Sequence, residues 1–129
     1  MGYVQIEELT RELDRENDEA SVFRENVPCG ASMRFEFVAD APIEFYIKNI
    51  PQQQKLTRSF QKYWFYPFGT GDLLGQDHIA EAVVLDSASA RQWTKEYHAG
   101  ELQDIYLIAK LPKTVSKAKV SIRMLASDH

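Results

Sequence analysis

Alternation of apolar and polar side chains in two runs, residues 33–40 and 43–48, constrains the fold of this chain more than any other feature. Successive side chains of a β-strand point to opposite faces, so the alternation predicts strands with one buried face. The apolar positions are Met33, Phe35, Phe37, Ala39, Ile43, Phe45 and Ile47. Pro42 cannot donate a backbone hydrogen bond, and it predicts a tight connection between two strands.

The same alternation returns near the C-terminus. Its apolar positions are Ile105, Leu107, Ala109 and Leu111, then Ala118, Val120, Ile122 and Met124. Residues 111–114 predict a loop between these two strands, and residues 56–65 and 79–85 are also rich in strand formers. About seven to eight short strands with few helices indicate a mostly β fold, an antiparallel β-sandwich. A small closed barrel is the alternative, because alternating side chains do not show whether a sheet closes on itself.

Helical spacing marks the N-terminal segment. Ile6, Leu9 and Leu13 recur among charged residues, which predicts an amphipathic helix whose narrow apolar stripe must dock on another element. A partly ordered arm is the alternative. The resulting division is an acidic helical segment at 1–20 and a β-sandwich domain at 21–129.

A second, short helix is expected at residues 90–97. The preceding residues 86–89, Asp-Ser-Ala-Ser, offer side chains that cap helix N-termini. Gly100 follows where a helix would stop.

Composition places the chain among soluble globular proteins of one domain, with 44% apolar and 26% charged residues over 129 positions. No apolar stretch is long enough for a membrane-spanning helix. The single cysteine, Cys29, excludes a disulfide within the chain. Residues 1–30 lack a secretory signal, so we expect a cytoplasmic protein if Met1 is the native start, and an exported one if a leader was removed.

Charge is divided unevenly along the chain. Residues 1–26 hold eight acids and three arginines, a net −5, which leaves +1 for the rest of the total of −4. An acidic segment repels phosphates, so nucleic acid is not expected as a partner. Basic residues dominate near the other end and are interpreted as the solvated face of strands: Lys110, Lys113, Lys117, Lys119 and Arg123.

Two blocks of sequence resemble a known family. NVPCGASMRFEF at 26–37 and DAPIEFYI at 40–47 resemble the opening of GOLD-like, immunoglobulin-like β-sandwich domains. DIYLI at 104–108 and KAKVSI at 117–122 resemble the last two strands of that pattern. The resemblance implies a non-enzymatic adaptor that binds other proteins.

Residues that could carry chemistry are few. Asp72, Asp77, His78 and His98 are the candidate metal ligands, but Asp77 and His78 are adjacent and would point to opposite faces of a strand. Cys29 lies between Pro28 and Gly30, with no basic neighbour in sequence to activate the thiol, and is interpreted as inert. No catalytic residue, metal site or cofactor is predicted.

The aromatic run KYWFYPFGTGD, residues 62–72, is the remaining candidate site. In an extended strand one side would carry Trp64, Tyr66 and Phe68, and the other Tyr63 and Phe65. So many exposed rings would form a patch that monomers usually avoid unless it binds something. Three alternatives stay open: cover by the N-terminal helix, a protein interface that includes self-association, and a small ligand such as a sugar.

These observations predict a non-enzymatic protein-interaction or structural module, which binds through the aromatic strand and can self-associate. The alternative is a small-ligand binder or enzyme with an aromatic-lined cavity and Asp72, His78 or His98 as polar contacts. A third hypothesis makes the acidic helix the partner-binding element.

Overall fold

The computed structural model describes residues 2–51 and 82–127, and every regular element in these ranges is a strand. The strands are β1 (Tyr3–Leu13), β2 (Glu19–Val27), β3 (Ser32–Pro51), β4 (Val83–His98), β5 (Gln103–Lys110) and β6 (Ala118–Ser127). All of them pair antiparallel in one sheet that curls into a half-barrel.

The 20-residue strand β3 organises this sheet. One edge of β3 pairs with β4, while the other pairs with β6 along its first half and with β5 along its second half. β1 then pairs with β6, and β2 with β5. The sheet therefore has a first wing, formed by β1, β6 and the first half of β3, and a second wing, formed by β2, β5 and the second half of β3.

A bend in β3 separates the two wings. Residues 39–42 face only Arg91 of β4, since the pairing passes from Val38 to Ile43. Extra residues on one strand bend it and increase its twist. Pro42, which has no N–H to donate, lies where the ladder is interrupted. The prediction of two strands with a tight connection is wrong, because β3 continues through the bend.

Both wings cover one apolar core. The ring of Phe37, in the first wing, lies 4.8 Å from that of Phe45 in the second wing and 5.3 Å from that of Trp93 on β4. Each fully buried side chain of this size contributes about 1.5–3 kcal/mol. The apolar faces predicted for β3, β5 and β6 are confirmed. Other large core residues are Leu13, Met33, Phe35, Ile43, Ile47, Ile105, Leu107, Ile122 and Met124.

β5 is buried on its outer face as well. Tyr106 and Ile108 form a second apolar cluster there with Ile50, and Tyr46 packs against it. The ring of Phe23 stacks on that of Tyr106 with a centroid distance of 5.8 Å. β5 is therefore the most enclosed strand of the second wing.

The predicted N-terminal helix is wrong, because residues 3–13 form β1. Glu7, Leu9, Arg11 and Leu13 pair with core-facing positions of β6 and share the inward face. Two of these four inward residues are charged, so the apolar residues of β1 do not show the spacing of two that is typical of a strand. The apolar residues that remain, with Ile6 displaced by a bulge, fall by coincidence at helical spacing.

The predicted helix at residues 90–97 is also wrong, because this stretch belongs to β4. Ala90 pairs with Ile43, and Trp93 and Tyr97 pack against the core on the same face. The inward positions shift by one residue opposite the bend of β3, which gives Ala90, Trp93 and Tyr97 a helix-like spacing. The helix-bearing sandwich is thus corrected to an all-strand half-barrel in the described part of the chain. No helix in that part could cross a membrane.

Candidate binding site between β1 and β2

The edges of β1 and β2 face each other across a space that we call the β1–β2 cleft. Within residues 2–51 and 82–127, β1 pairs only with β6 and β2 only with β5, so each strand has one edge without a ladder. A short turn joins the strands at one end of the cleft. There the carboxylate of Asp14 accepts the backbone N–H groups of Glu16 at 2.9 Å and Asn17 at 2.8 Å.

One ion pair crosses the cleft. Arg24 Nη1 of β2 lies 3.2 Å from Glu7 Oε1 of β1, and both side chains extend from the inward faces of their strands. The side chains are 49% and 35% exposed, so water screens the pair and its contribution is at most about 1 kcal/mol. The cleft is therefore bridged by polar groups.

A cavity of about 470 Å³ lies at the end of the cleft away from the turn. This volume is in the range of small-molecule sites. Its wall is mixed, with apolar Ile6, Val27, Met33 and Ala126 and polar Arg24, Glu25, Asn26, Ser32 and Ser127. A second space, of about 540 Å³, continues along the cleft and shares Arg24 and Glu25 with the first.

Two irregularities of the sheet flank this cavity. The β1–β6 register shifts between Gln5 and Glu7, and the β2–β5 register shifts between Arg24 and Val27. Asn26, inside the second shift, has φ 57°, a region that asparagine tolerates better than most residues. Bulges of this kind turn side chains away from the ladder and are frequent beside binding sites.

A turn at residues 28–31 forms the floor of the cavity. Gly30 has φ 93°, where a side chain would be strained, and its N–H donates to Ala99 O at 2.7 Å. Cys29 is exposed in this turn, and its thiol donates to Gly100 O at 3.4 Å. The turn is thus fixed to the β4–β5 connection.

Charges alternate from strand to strand on the outward face of the first wing. Glu36 of β3 pairs in register with Arg123 of β6, and Arg123 in turn with Glu8 of β1. Two outward rows along, beyond the Thr10–Ser121 pair, Lys119 pairs in register with Glu12. Lys119 and Arg123 therefore lie on an outward strand face, as predicted. Each row ends on a carboxylate at the free edge of β1.

A separate ion pair lies on the inward face of β4. Lys95 Nζ is 3.0 Å from Asp86 Oδ2, and the backbone N–H of Ser87 donates to Asp86 Oδ1 at 2.8 Å. These two donors hold the pKa of Asp86 below its ordinary value, the lysine contact being the larger cause. The pair links the two ends of β4, and it lies away from the cleft.

The aromatic residues predicted to bind a partner lie outside the described residues: Trp64, Tyr66, Phe68, Tyr63 and Phe65. Asp72, Asp77 and His78 also lie outside them. His98 is exposed at the end of β4, with Nδ1 3.4 Å from Ser32 Oγ. In the described part of the chain, no three potential metal ligands lie together.

Sequence reasoning did not predict the cleft or its residues. The available signal was the pair of inward charges, Glu7 and Arg11, which break an otherwise regular β alternation. Such charges indicate a strand edge that reaches water.

The sequence matches no protein-family model, and a search of curated proteins found no significant match.

Proposed function

We propose that this protein is a non-enzymatic protein-interaction module that binds its partner at the β1–β2 cleft. The observation that carries the proposal is a pair of strand edges, on β1 and β2, that have no strand partner within residues 2–51 and 82–127 and face each other beside a cavity of about 470 Å³. Free backbone N–H and C=O groups of a strand edge pair readily with an extended segment of another protein. The cavity can take a side chain of such a segment and so provide specificity.

The sequence supports the same class of function. The resemblance to GOLD-like domains implies an adaptor that binds proteins. The aromatic residues Trp64, Tyr66 and Phe68 stay a sequence-based prediction for a second contact surface or for self-association.

Selection from a random peptide display library tests the proposal. Binders should shift the backbone amide resonances of residues 4–13 and 21–27 in ¹⁵N-labelled protein. The exposed residues Val83–Leu85 of β4 provide the internal comparison, since β4 is a strand outside the β1–β2 cleft. Failure to select any binder, or binders that shift only β4, would contradict the proposal.

A small-ligand function is the second candidate, and the volume of the cavity favours it. A thermal-shift screen of sugars, lipids and metals should then find a compound that raises the melting temperature. Ala126→Leu adds three carbon atoms to the cavity wall and should remove that stabilisation, whereas the exposed Thr94→Val on β4 should not. A screen without any hit removes the support for this candidate.

A further inference from the structure

We infer that the partner at the β1 edge is an extended segment of another protein with the pattern basic–apolar–polar–apolar–basic. This inference rests on the proposed function and adds to it the chemistry of the partner. The segment extends the first wing as a strand beside β1, on the side opposite β6.

The outward rows of the first wing supply the charge argument. Arg123 lies opposite Glu8, and Lys119 opposite Glu12, so β6 presents two basic residues to β1. A strand on the other side of β1 would lie beside the same two carboxylates. Glu8 has no cationic partner among the described residues, and Glu12 lies 3.1 Å from Lys117 Nζ. Opposite charges directly across strands are stabilising, and like charges are destabilising. A new neighbour of β1 therefore also needs basic residues at these two rows.

Carboxylates that have no cationic partner strengthen the preference of β1 for a basic neighbour. Among the described residues, Glu8 is bonded only to Gln5 Nε2, at 2.7 Å, and Glu19 and Glu25 have no cationic partner. Glu25 lines the cavity. Arg11 of β1 has no carboxylate partner among the described residues and offsets one of these three charges. The two strands that border the cleft thus keep a net negative charge, which attracts a basic segment over a distance of roughly a Debye length, about 10 Å.

The positions between the two basic residues follow from the same register. Thr10 lies opposite Ser121 and takes a polar neighbour, whereas Leu9 lies opposite Ile122 on the inward face and takes an apolar one. The second apolar position lies beside Arg11, where β6 has the buried Val120. Residues 119–123 of β6, Lys-Val-Ser-Ile-Arg, already show this pattern. The pattern of charges reads the same in both directions, so it fits a parallel or an antiparallel partner.

A second copy of this chain does not fit the same edge. Pairing of β1 with β1 would bring together two strands that each carry Glu7, Glu8 and Glu12 against Arg11 alone, and a net charge of this kind is a common protection against edge-to-edge association. β6 of a second copy is already paired on both edges, with β1 and with β3. The compatible partner is therefore a basic segment of a different protein.

Fluorescence anisotropy with two labelled peptides tests the inference. The first is KAKVSIRML, which copies residues 117–125, and the second is EAEVSIEML, in which the basic residues are replaced by glutamate. The wild-type protein should bind the first peptide at least about tenfold more tightly than the second. At Glu8 and at Glu12, a cross-strand attraction of a few tenths to about 1 kcal/mol in the first complex becomes a repulsion of similar size in the second. A proline in place of the serine should abolish binding, because it interrupts strand pairing.

Variants of the protein locate the contact. The double variant Glu8→Lys, Glu12→Lys should lose about tenfold in affinity for KAKVSIRML. Because these lysines also face Arg123 and Lys119, the neutral pair Glu8→Gln, Glu12→Gln is made as well, with an expected loss of about threefold. Glu101→Lys on the exposed β4–β5 connection changes the net charge by the same amount as the neutral pair. It is the matched control and should bind KAKVSIRML as the wild type does.

The outcomes separate the inference from the proposed function. Equal binding of both peptides, or unchanged affinity in the neutral pair, overturns the basic pattern. If neither peptide binds while peptides selected by display still shift β1 and β2 resonances, the inference fails and the proposed function stands. If nothing binds at the cleft in either experiment, both fail.

Discussion

Replacing Gln103 with methionine should lower the free energy of unfolding by about 1.5–4 kcal/mol. Gln103 is 1% exposed, and its Oε1 accepts two hydrogen bonds of 2.8 Å, from Asn49 Nδ2 and from the hydroxyl of Tyr97. Its Nε2 donates to Glu101 O at 3.0 Å. These bonds join β3, β4 and β5 at one point.

The magnitude follows from what the substitution leaves behind. Methionine has a similar volume, so little cavity forms. Asn49, 7% exposed, then keeps a buried amide donor without an acceptor, which costs about 1–3 kcal/mol. Tyr97 is only half-buried, so its hydroxyl can donate to water instead. The loss of its bond to Gln103 therefore adds less, about 0.5–1 kcal/mol.

Urea unfolding followed by circular dichroism measures the change, with the slope m as a check that the exposed area is the same. Tyr97→Phe and Gln103→Met form a double-mutant cycle. In the wild-type background Tyr97→Phe should lower the free energy of unfolding by about 0.5–1.5 kcal/mol. In the Gln103→Met background it should change it by almost nothing, because the acceptor of the Tyr97 hydroxyl, Gln103 Oε1, is already gone. A Gln103→Met protein within about 0.5 kcal/mol of the wild type, or full additivity in the cycle, would refute the reasoning.

Three further predictions concern the core and the ion pairs. Phe37→Ala removes a ring at the junction of the wings and should cost about 3–5 kcal/mol in urea unfolding; a loss below about 1 kcal/mol would argue against that position. Because Lys95 lowers the pKa of Asp86, the carboxylate stabilises the fold above its ordinary pKa, and this contribution is lost as pH falls through the lowered value. The stability difference between wild type and Asp86→Asn should therefore be constant from about pH 7 to pH 5 and vanish by about pH 2; a difference independent of pH would contradict it. Arg24→Met breaks the exposed pair with Glu7 and should change stability by less than about 1 kcal/mol, and a larger loss would mean that the cleft is closed to water.

The strands at the centre of the sheet could be predicted from the sequence. Phe35, Phe37 and Phe45 alternate with polar residues because β3 has one face on the core and the other exposed or only partly buried. The same holds for Val120 and Ile122 of β6. For these positions one rule, burial on one face, decides the residue type.

The edge strands could not be predicted in this way. In β1, Glu7 and Arg11 occupy inward positions that reach the water of the cleft, so burial does not demand apolar residues there. In β4, the bend of β3 shifts the inward positions between Ala90 and Trp93. Both effects depend on contacts between residues that are distant in sequence, and each produces a false helical period.

The candidate site was even less visible than the edge strands. The cavity exists because Ile6 and Asn26 lie in bulges of two strands that approach each other only after the sheet curls. No local spacing encodes that approach.

The central claim is that β1 pairs with β6 along one edge and has no strand partner along the other edge within residues 2–51 and 82–127. Hydrogen exchange of the backbone amides in β1 tests this claim most directly. In an antiparallel edge strand, successive N–H groups point alternately to the neighbour and to the open side. The account predicts slow and fast exchange at alternate residues between Glu7 and Leu13, beyond the bulge at Ile6, in the free protein, and slow exchange throughout once a peptide binds the cleft. Uniformly slow exchange without any partner would show that the edge is already occupied, and uniformly fast exchange would show that β1 does not pair with β6; either result would contradict the account.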